Sequence, residues 1–257
     1  MKGLRNIGNT CYLNSGLQML INNKDLCDLI KKKAEDSIIL NKICNFIDLY
    51  NDSESSDVIV PHEIKKIVQE KQEIFIGYNQ HDSTEFIIYL LDIIDEEIKK
   101  SDSLGISSLF NIEMNTRIKC KIRDCLQIYN KKEYNNFLLL DIDTNCKSLD
   151  DAYRIFKSGE KLDDDNKYYC EKCKTKRIAS KRSTIEKWPK YTFIWLKRFR
   201  QNGNKIMKNN QDLDIPLEWR HNNKWYLYND SNVSEINSES ELLRLLAKAY
   251  WLCYKSD

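Results

Sequence analysis

Cys11 stands where a helix should begin. Residues Cys11 to Ile21 set Leu13, Leu17 and Leu20 on one face, at spacings that predict a helix. Gly3, Asn6, Gly8 and Asn9 ahead of it suit a loop that turns sharply. A thiol at a helix N-terminus meets unpaired backbone N–H groups and the positive end of the helix dipole, and both favour its thiolate. A thiolate is the nucleophile that acyl transfer needs. The Asn6 amide, on the loop that folds back, can join the backbone N–H of Cys11 in donating to an oxyanion. The alternative for Cys11 is a structural cysteine packed against its own helix.

A second group of thiols has metal-ligand spacing. Cys120 and Cys125 form a C-x4-C pair, and Cys170 and Cys173 a C-x2-C pair. Thiolates from two such turns can hold a tetrahedral zinc and tie two hairpins together, with no open position left for catalysis. The alternative is a set of free surface thiols. The chain has nine cysteines, an odd and scattered number. With no signal peptide ahead of the first motif, that usage points to a reducing, intracellular setting.

The elements that must position these residues follow from patterning. Helical periodicity continues from Leu26 to Tyr50, and Pro61 opens another helix. Asp82 can cap a helix over Ser83 to Lys99, with Glu85 placed as in a capping box. After residue 105 the pattern changes to strands: around Ile112 to Ile118, Phe137 to Asp141, Tyr191 to Phe199, Trp225 to Tyr228 and Ala249 to Tyr254. Ser148 to Phe156 reads as a short helix, and Asn202-Gly203-Asn204 as a turn. Helices first and strands second predict an α+β arrangement of two lobes, and a groove between lobes suits an extended substrate. The hydrophobic fraction of 41% over 257 residues supports one sizeable core with a small appended lobe. Basic and acidic residues number 41 and 39, so bulk charge argues for neither nucleic acid nor an anionic membrane as partner. No apolar run is long enough to span a bilayer.

The block Gly3 to Leu20 (GLRNIGNTCYLNSGLQML) resembles the cysteine box of the ubiquitin-specific protease family, the ubiquitin carboxyl-terminal hydrolases with a papain-like peptidase fold. Gly77 to Leu91 (GYNQHDSTEFIIYLL) is similar to that family's second signature. Ser148 to Cys173 resembles the stretch leading into its zinc-ribbon fingers, and Lys187 to Phe199 the strand that follows. The resemblance implies one domain over 1–257, with a helical thumb over 1–105, zinc-ribbon fingers over 106–185 and a shortened β-rich palm over 186–257. It implies a monomeric deubiquitinase that cuts the bond after the terminal glycine of ubiquitin, using Cys11 as nucleophile. Ubiquitin or ubiquitinated proteins are then the partners. Gln80 and Asp82 are expected to contact the basic ubiquitin tail, and Cys120, Cys125, Cys170 and Cys173 to bind structural zinc. The first pair departs from the family's usual C-x2-C, and a longer knuckle loop absorbs the two extra residues.

The general base is the weak point. The chain has three histidines, His62, His81 and His221, and none sits in the family's Gly-His-Tyr motif. Lys224 to Val233 (KWYLYNDSNV) resembles the strand that orients the catalytic imidazole, with Asn229 at the third triad position and Asp230 beside it. A tight turn at Asn222-Asn223 would leave His221 about 15 Å along the strand from the point opposite Asn229. Only a looser loop lets His221 serve. His81 reads as a solvent or turn residue. The alternative function is therefore a catalytically impaired ubiquitin binder of the same fold.

Overall fold

The computed structural model describes residues 2–54, 57–143, 145–202, 205–215 and 225–255. The chain runs through α1 (Cys11–Ile21), α2 (Lys24–Lys33), α3 (Ile38–Asn51), α4 (His62–Lys71), α5 (Ser83–Lys99) and the short α6 (Ser107–Phe110). Next come β1 (Ile112–Cys120), β2 (Ile128–Asn135), β3 (Phe137–Asp141), α7 (Leu149–Ser158), β4 (Glu160–Leu162), β5 (Tyr168–Cys170), β6 (Thr175–Arg177) and β7 (Ala179–Lys187). Then follow β8 (Tyr191–Lys197), β9 (Phe199–Asn202), β10 (Lys205–Lys208), β11 (Trp225–Asn229), β12 (Asn232–Ile236), α8 (Glu239–Leu246) and β13 (Trp251–Lys255). Two compact units result, Met1–Leu109 with Arg220–Glu239, and Phe110–Trp219 with Ser240–Asp257.

The first unit is helical, with the antiparallel hairpin β11–β12 added to it. Leu17, Leu20, Leu26, Ile47, Leu90 and Ile94 are buried together at its centre. Gly16 lets α1 come close to α5, because a Cβ there would overlap Ile87 and Phe86. The helical pattern from Leu26 to Tyr50 is divided in two by a 3-10 turn at Ala34–Asp36. Ser37 then restarts the helix: its hydroxyl accepts from the N–H groups of Ile39 and Leu40 and donates to Glu97 at 2.7 Å. That hydroxyl competes with the helical backbone for hydrogen bonds, which is why the break falls there.

In the second unit, β8 lies between β13 and β3, antiparallel to the first and parallel to the second. Its residues Tyr191 to Ile194 and Leu196 are buried or nearly so, which explains the unbroken apolar run. Phe193 stacks between Phe110 and Phe137, with ring centroids 5.1 and 5.6 Å away. A separate sheet has the order β2-β1-β7-β4, and β5–β6 form a small hairpin. Asn202 pairs with Lys205 as the turn reading requires, while Gly203 and Asn204 lie outside the described residues.

The single strand expected over Tyr191 to Phe199 stops at Lys197, and the cause is Arg198. Its side chain is 1% exposed, the largest among the most deeply buried. It donates from Nε to the Ala249 carbonyl at 2.6 Å, from Nη1 to Gln211 at 2.6 Å and Asn209 at 3.3 Å, and from Nη2 to Ala247 at 2.7 Å. A guanidinium is satisfied this way without a buried counter-charge, and it clamps the segment after β10 to the α8–β13 connection. Arg198→Met is expected to orphan several of these carbonyls and to cost about 3 kcal/mol or more. The check is a urea melt: a midpoint within error of the parent would remove Arg198 from this role.

Candidate active site and metal centre

Cys11 is the first residue of α1 and is exposed. The loop before it is shaped by one side chain. Asn6 Oδ1 accepts from the backbone N–H of Gly8 at 3.1 Å and of Thr10 at 3.2 Å, and from the Thr10 hydroxyl at 3.3 Å. Gly8 has φ of +101°, and a Cβ there would strike the Tyr78 ring. Asn9 Nδ2 donates to the Tyr78 carbonyl at 2.8 Å. Thus the two sequence motifs, far apart in the chain, meet at Tyr78. They meet again where Tyr12 packs edge-on against Phe86 and His81, with centroids 5.8 and 5.2 Å away.

The Asp230 carboxylate completes the loop from the β11–β12 turn. It accepts from Asn6 Nδ2 at 3.0 Å and from Asn14 Nδ2 at 2.6 Å, while the Asp230 carbonyl accepts from the Leu4 N–H at 2.8 Å. One carboxylate therefore spans the loop before Cys11 and the first turn of its helix. It also takes one of the two Asn6 amide hydrogens, so a single N–H of that amide is left for an oxyanion. Asn229 is exposed at the end of β11, paired across the hairpin with Asn232. Asp230→Ala is expected to loosen the loop, costing about 1–3 kcal/mol of stability. Turnover should fall more steeply than substrate affinity; a kcat equal to the parent's would exclude this positioning role.

The other expected residues divide. Asp82 caps α5, its carboxylate accepting from the Thr84 N–H at 2.6 Å, and Gln80 is exposed beside it. His62 is exposed at the start of α4, its Nδ1 3.9 Å from Glu63. His81 is not the solvent residue its polar neighbours imply. It is half-buried against Phe75 and Tyr12, and its Nε2 has no hydrogen-bond partner among the described residues. Aromatic neighbours contributed by distant segments drew it inward, and no local pattern signals that. His221 lies outside the described residues.

The four cysteines of the two pairs converge, with their sulfurs all within 4.8 Å of one another. Cys125 and Cys170 Sγ are 3.5 Å apart, and sulfurs on a tetrahedral zinc stand about 3.8 Å apart given Zn–S bonds near 2.3 Å. Each pair makes a knuckle. After Cys125 and Cys173, Leu126 and Lys174 take positive φ of 46° and 52° and turn the chain back. The backbone N–H groups of Cys173 and Lys172 aim at the Cys170 sulfur and bring its thiol down to about 7. Cys120, Cys125 and Cys170 are buried. Buried thiols set this close, with N–H groups stabilising a thiolate, fit a soft divalent metal and leave no open coordination position. The C-x4-C spacing is accommodated by a turn in which the Cys125 and Leu126 N–H groups both donate to the Ile122 carbonyl.

Residues 2–221 match the family model described as ubiquitin carboxyl-terminal hydrolase. The chain belongs to that family. Among curated relatives, ubiquitin carboxyl-terminal hydrolase 2 of Bos taurus is 27% identical, over 84% of this chain and 43% of its own length. Ubiquitin carboxyl-terminal hydrolase 24 of Homo sapiens is 31% identical over 93% of this chain and 9% of its own length. The chain thus spans less than half the length of each of these two relatives. A solved chain from a SAGA DUB module of Ubp8, Sgf11, Sus1 and Sgf73 bound to monoubiquitin superposes with a TM-score of 0.76. It is 22% identical, and the match covers 99% of this chain and 69% of that one. The α+β fold of the ubiquitin carboxyl-terminal hydrolases, with helical thumb, β-rich palm and cysteine-bearing fingers, is the fold of this chain. Among the described residues no helix is long and apolar enough to cross a membrane.

Proposed function

We propose that this ubiquitin carboxyl-terminal hydrolase is a thiol-dependent deubiquitinase. The observation that carries the reading is the exposed Cys11 at the N-terminus of α1, on a loop whose shape Asn6 and Asp230 hold. In this reading the Cys11 thiolate attacks the carbonyl carbon of the terminal glycine of ubiquitin. The oxyanion accepts from the Cys11 backbone N–H and the remaining Asn6 N–H. The carbon–nitrogen bond breaks with proton transfer to the leaving amine, and water then releases ubiquitin from the thioester. His221 is the proposed base, oriented by Asn229. His62 is tied to α4, and the His81 ring is held between Tyr12 and Phe75. Asp82 and Gln80, beside the Tyr78 contact, are the proposed partners of the ubiquitin tail. Zinc is the proposed occupant of the four-cysteine cluster, where it would lock the two knuckles together.

The relatives' family and the neighbour's bound monoubiquitin support ubiquitin as substrate. The test is hydrolysis of a ubiquitin C-terminal amide by the purified chain, run beside capture by ubiquitin carrying a C-terminal electrophile. Turnover with capture supports the enzyme. Capture without turnover makes the chain an impaired ubiquitin binder, and the absence of both capture and turnover overturns the reading.

A further inference from the structure

None of the residues proposed to act on the scissile bond lies on the four-stranded sheet of the second unit. Along β1, Arg117 and Lys119, with Lys121 just beyond, lie on one side, because side chains alternate along a strand. Arg182 on β7 is directly opposite Arg117. These residues, with Lys161 and Lys181, line a trough of ≈ 590 Å³. Lys181 is neutralised by Glu160 at 2.9 Å and Lys161 by Asp163 at 2.7 Å. Arg117, Lys119, Lys121 and Arg182 have no ion-pair partner among the described residues.

Like charges directly opposed across a strand pair repel, since their Cβ atoms are about 5 Å apart. The fold therefore carries a local cost at Arg117 and Arg182. It does so in a chain whose total charges almost cancel, 41 against 39. An anion between the two guanidinium groups turns that repulsion into attraction. Guanidinium groups on two opposed strand positions can each give bidentate bonds to the oxygens of one phosphate dianion. The charge does not end there. Lys119 and Lys121 extend it about 13 Å along β1 from Arg117, farther than one phosphate reaches. The complementary ligand is thus elongated, with a phosphate at one end and carboxylates beyond it. Among the described residues no aromatic ring lines the trough, so the stacking that holds single-stranded nucleic acid has no platform there.

We propose that the opposed Arg117 and Arg182, continued by Lys119 and Lys121, bind a phosphorylated acidic segment of a partner protein. The trough belongs to the second unit and Cys11 to the first, and the test needs no turnover. Fluorescence anisotropy would compare a labelled pentapeptide of phosphoserine followed by four aspartates with its unphosphorylated twin. A ten-nucleotide single strand and inorganic phosphate complete the probe set. The phosphopeptide is expected to bind about tenfold tighter than its twin, and Arg117→Ala and Arg182→Ala each to weaken it about tenfold, as loss of a charge-assisted bond predicts. Lys32→Ala, exposed on α2 and outside the trough, should leave binding unchanged. Equal binding of the twin, tighter binding of the oligonucleotide, or displacement by inorganic phosphate at matching concentration would each overturn the proposal. If an arginine variant fails to fold, Arg182→Gln replaces it, and the comparison among probes on the parent chain decides without any variant. Failure here leaves the deubiquitinase reading intact, and the Cys11→Ala chain is expected to bind the phosphopeptide as the parent does.

Discussion

Cys11→Ala is expected to abolish capture by ubiquitin carrying a C-terminal electrophile, and to lower hydrolysis of a ubiquitin C-terminal amide by about 10⁴-fold or more. The size of the effect follows from the surroundings of the other thiols. Of the nine cysteines, Cys11 is the exposed one. Burial pushes Cys27 up to about 11 and Cys253 up to about 12, so neither offers a thiolate near neutral pH. Cys120, Cys125, Cys170 and Cys173 face one another. Burial also raises the Cys44 and Cys146 thiols, and among the described residues no second exposed thiol stands ready to take over. Mass spectrometry of the labelled chain gives the site directly, and a ubiquitin adduct persisting on the Cys11→Ala variant would remove Cys11 as the nucleophile.

The second large effect is at the four-cysteine cluster, with zinc as its proposed occupant. Cys170→Ser removes the sulfur on which two backbone N–H groups converge. Bound zinc is expected to fall from about one ion per chain to near none. Structural zinc supplies about 10–16 kcal/mol of apparent binding free energy in small zinc-finger peptides, which is as large as the whole stability of an ordinary domain, about 5–15 kcal/mol. Even a fraction of that loss should lower the thermal midpoint by many degrees. Alkylation of Cys11 by a small electrophile should proceed at the parent rate, because the two thiol groups do not share a unit. Metal analysis checks the first expectation; zinc content equal to the parent's would count against this ligand set.

The parts legible from sequence are those whose burial is local and periodic. α1 and α5 begin and end where their patterns say, because one face of each packs on the other through Gly16. β8 was legible from its apolar run. The strands β2 and β7 were not. Ile128–Asn135 and Ala179–Lys187 are polar and half-exposed, so neither alternation nor hydrophobicity marks them. Their order rests on β1 between them and on the cysteine knuckles at the strand ends. α8 was missed as well, since only Leu242 of its residues is buried. At the candidate site, the loop chemistry of Asn6 was legible as a donor, but its main work, accepting three hydrogens, was not. Nor was the Asn6–Asp230 bond, which joins side chains 224 positions apart. No local signal carries a contact of that range.

That bond has a consequence for how the protein is made. Translation runs from N- to C-terminus, so the loop that carries the thiol is made more than two hundred positions ahead of the carboxylate that braces it. Until that later stretch has emerged, the nascent polypeptide carries an unbraced nucleophile. The reactive geometry is thus coupled to synthesis of a segment far downstream of the thiol.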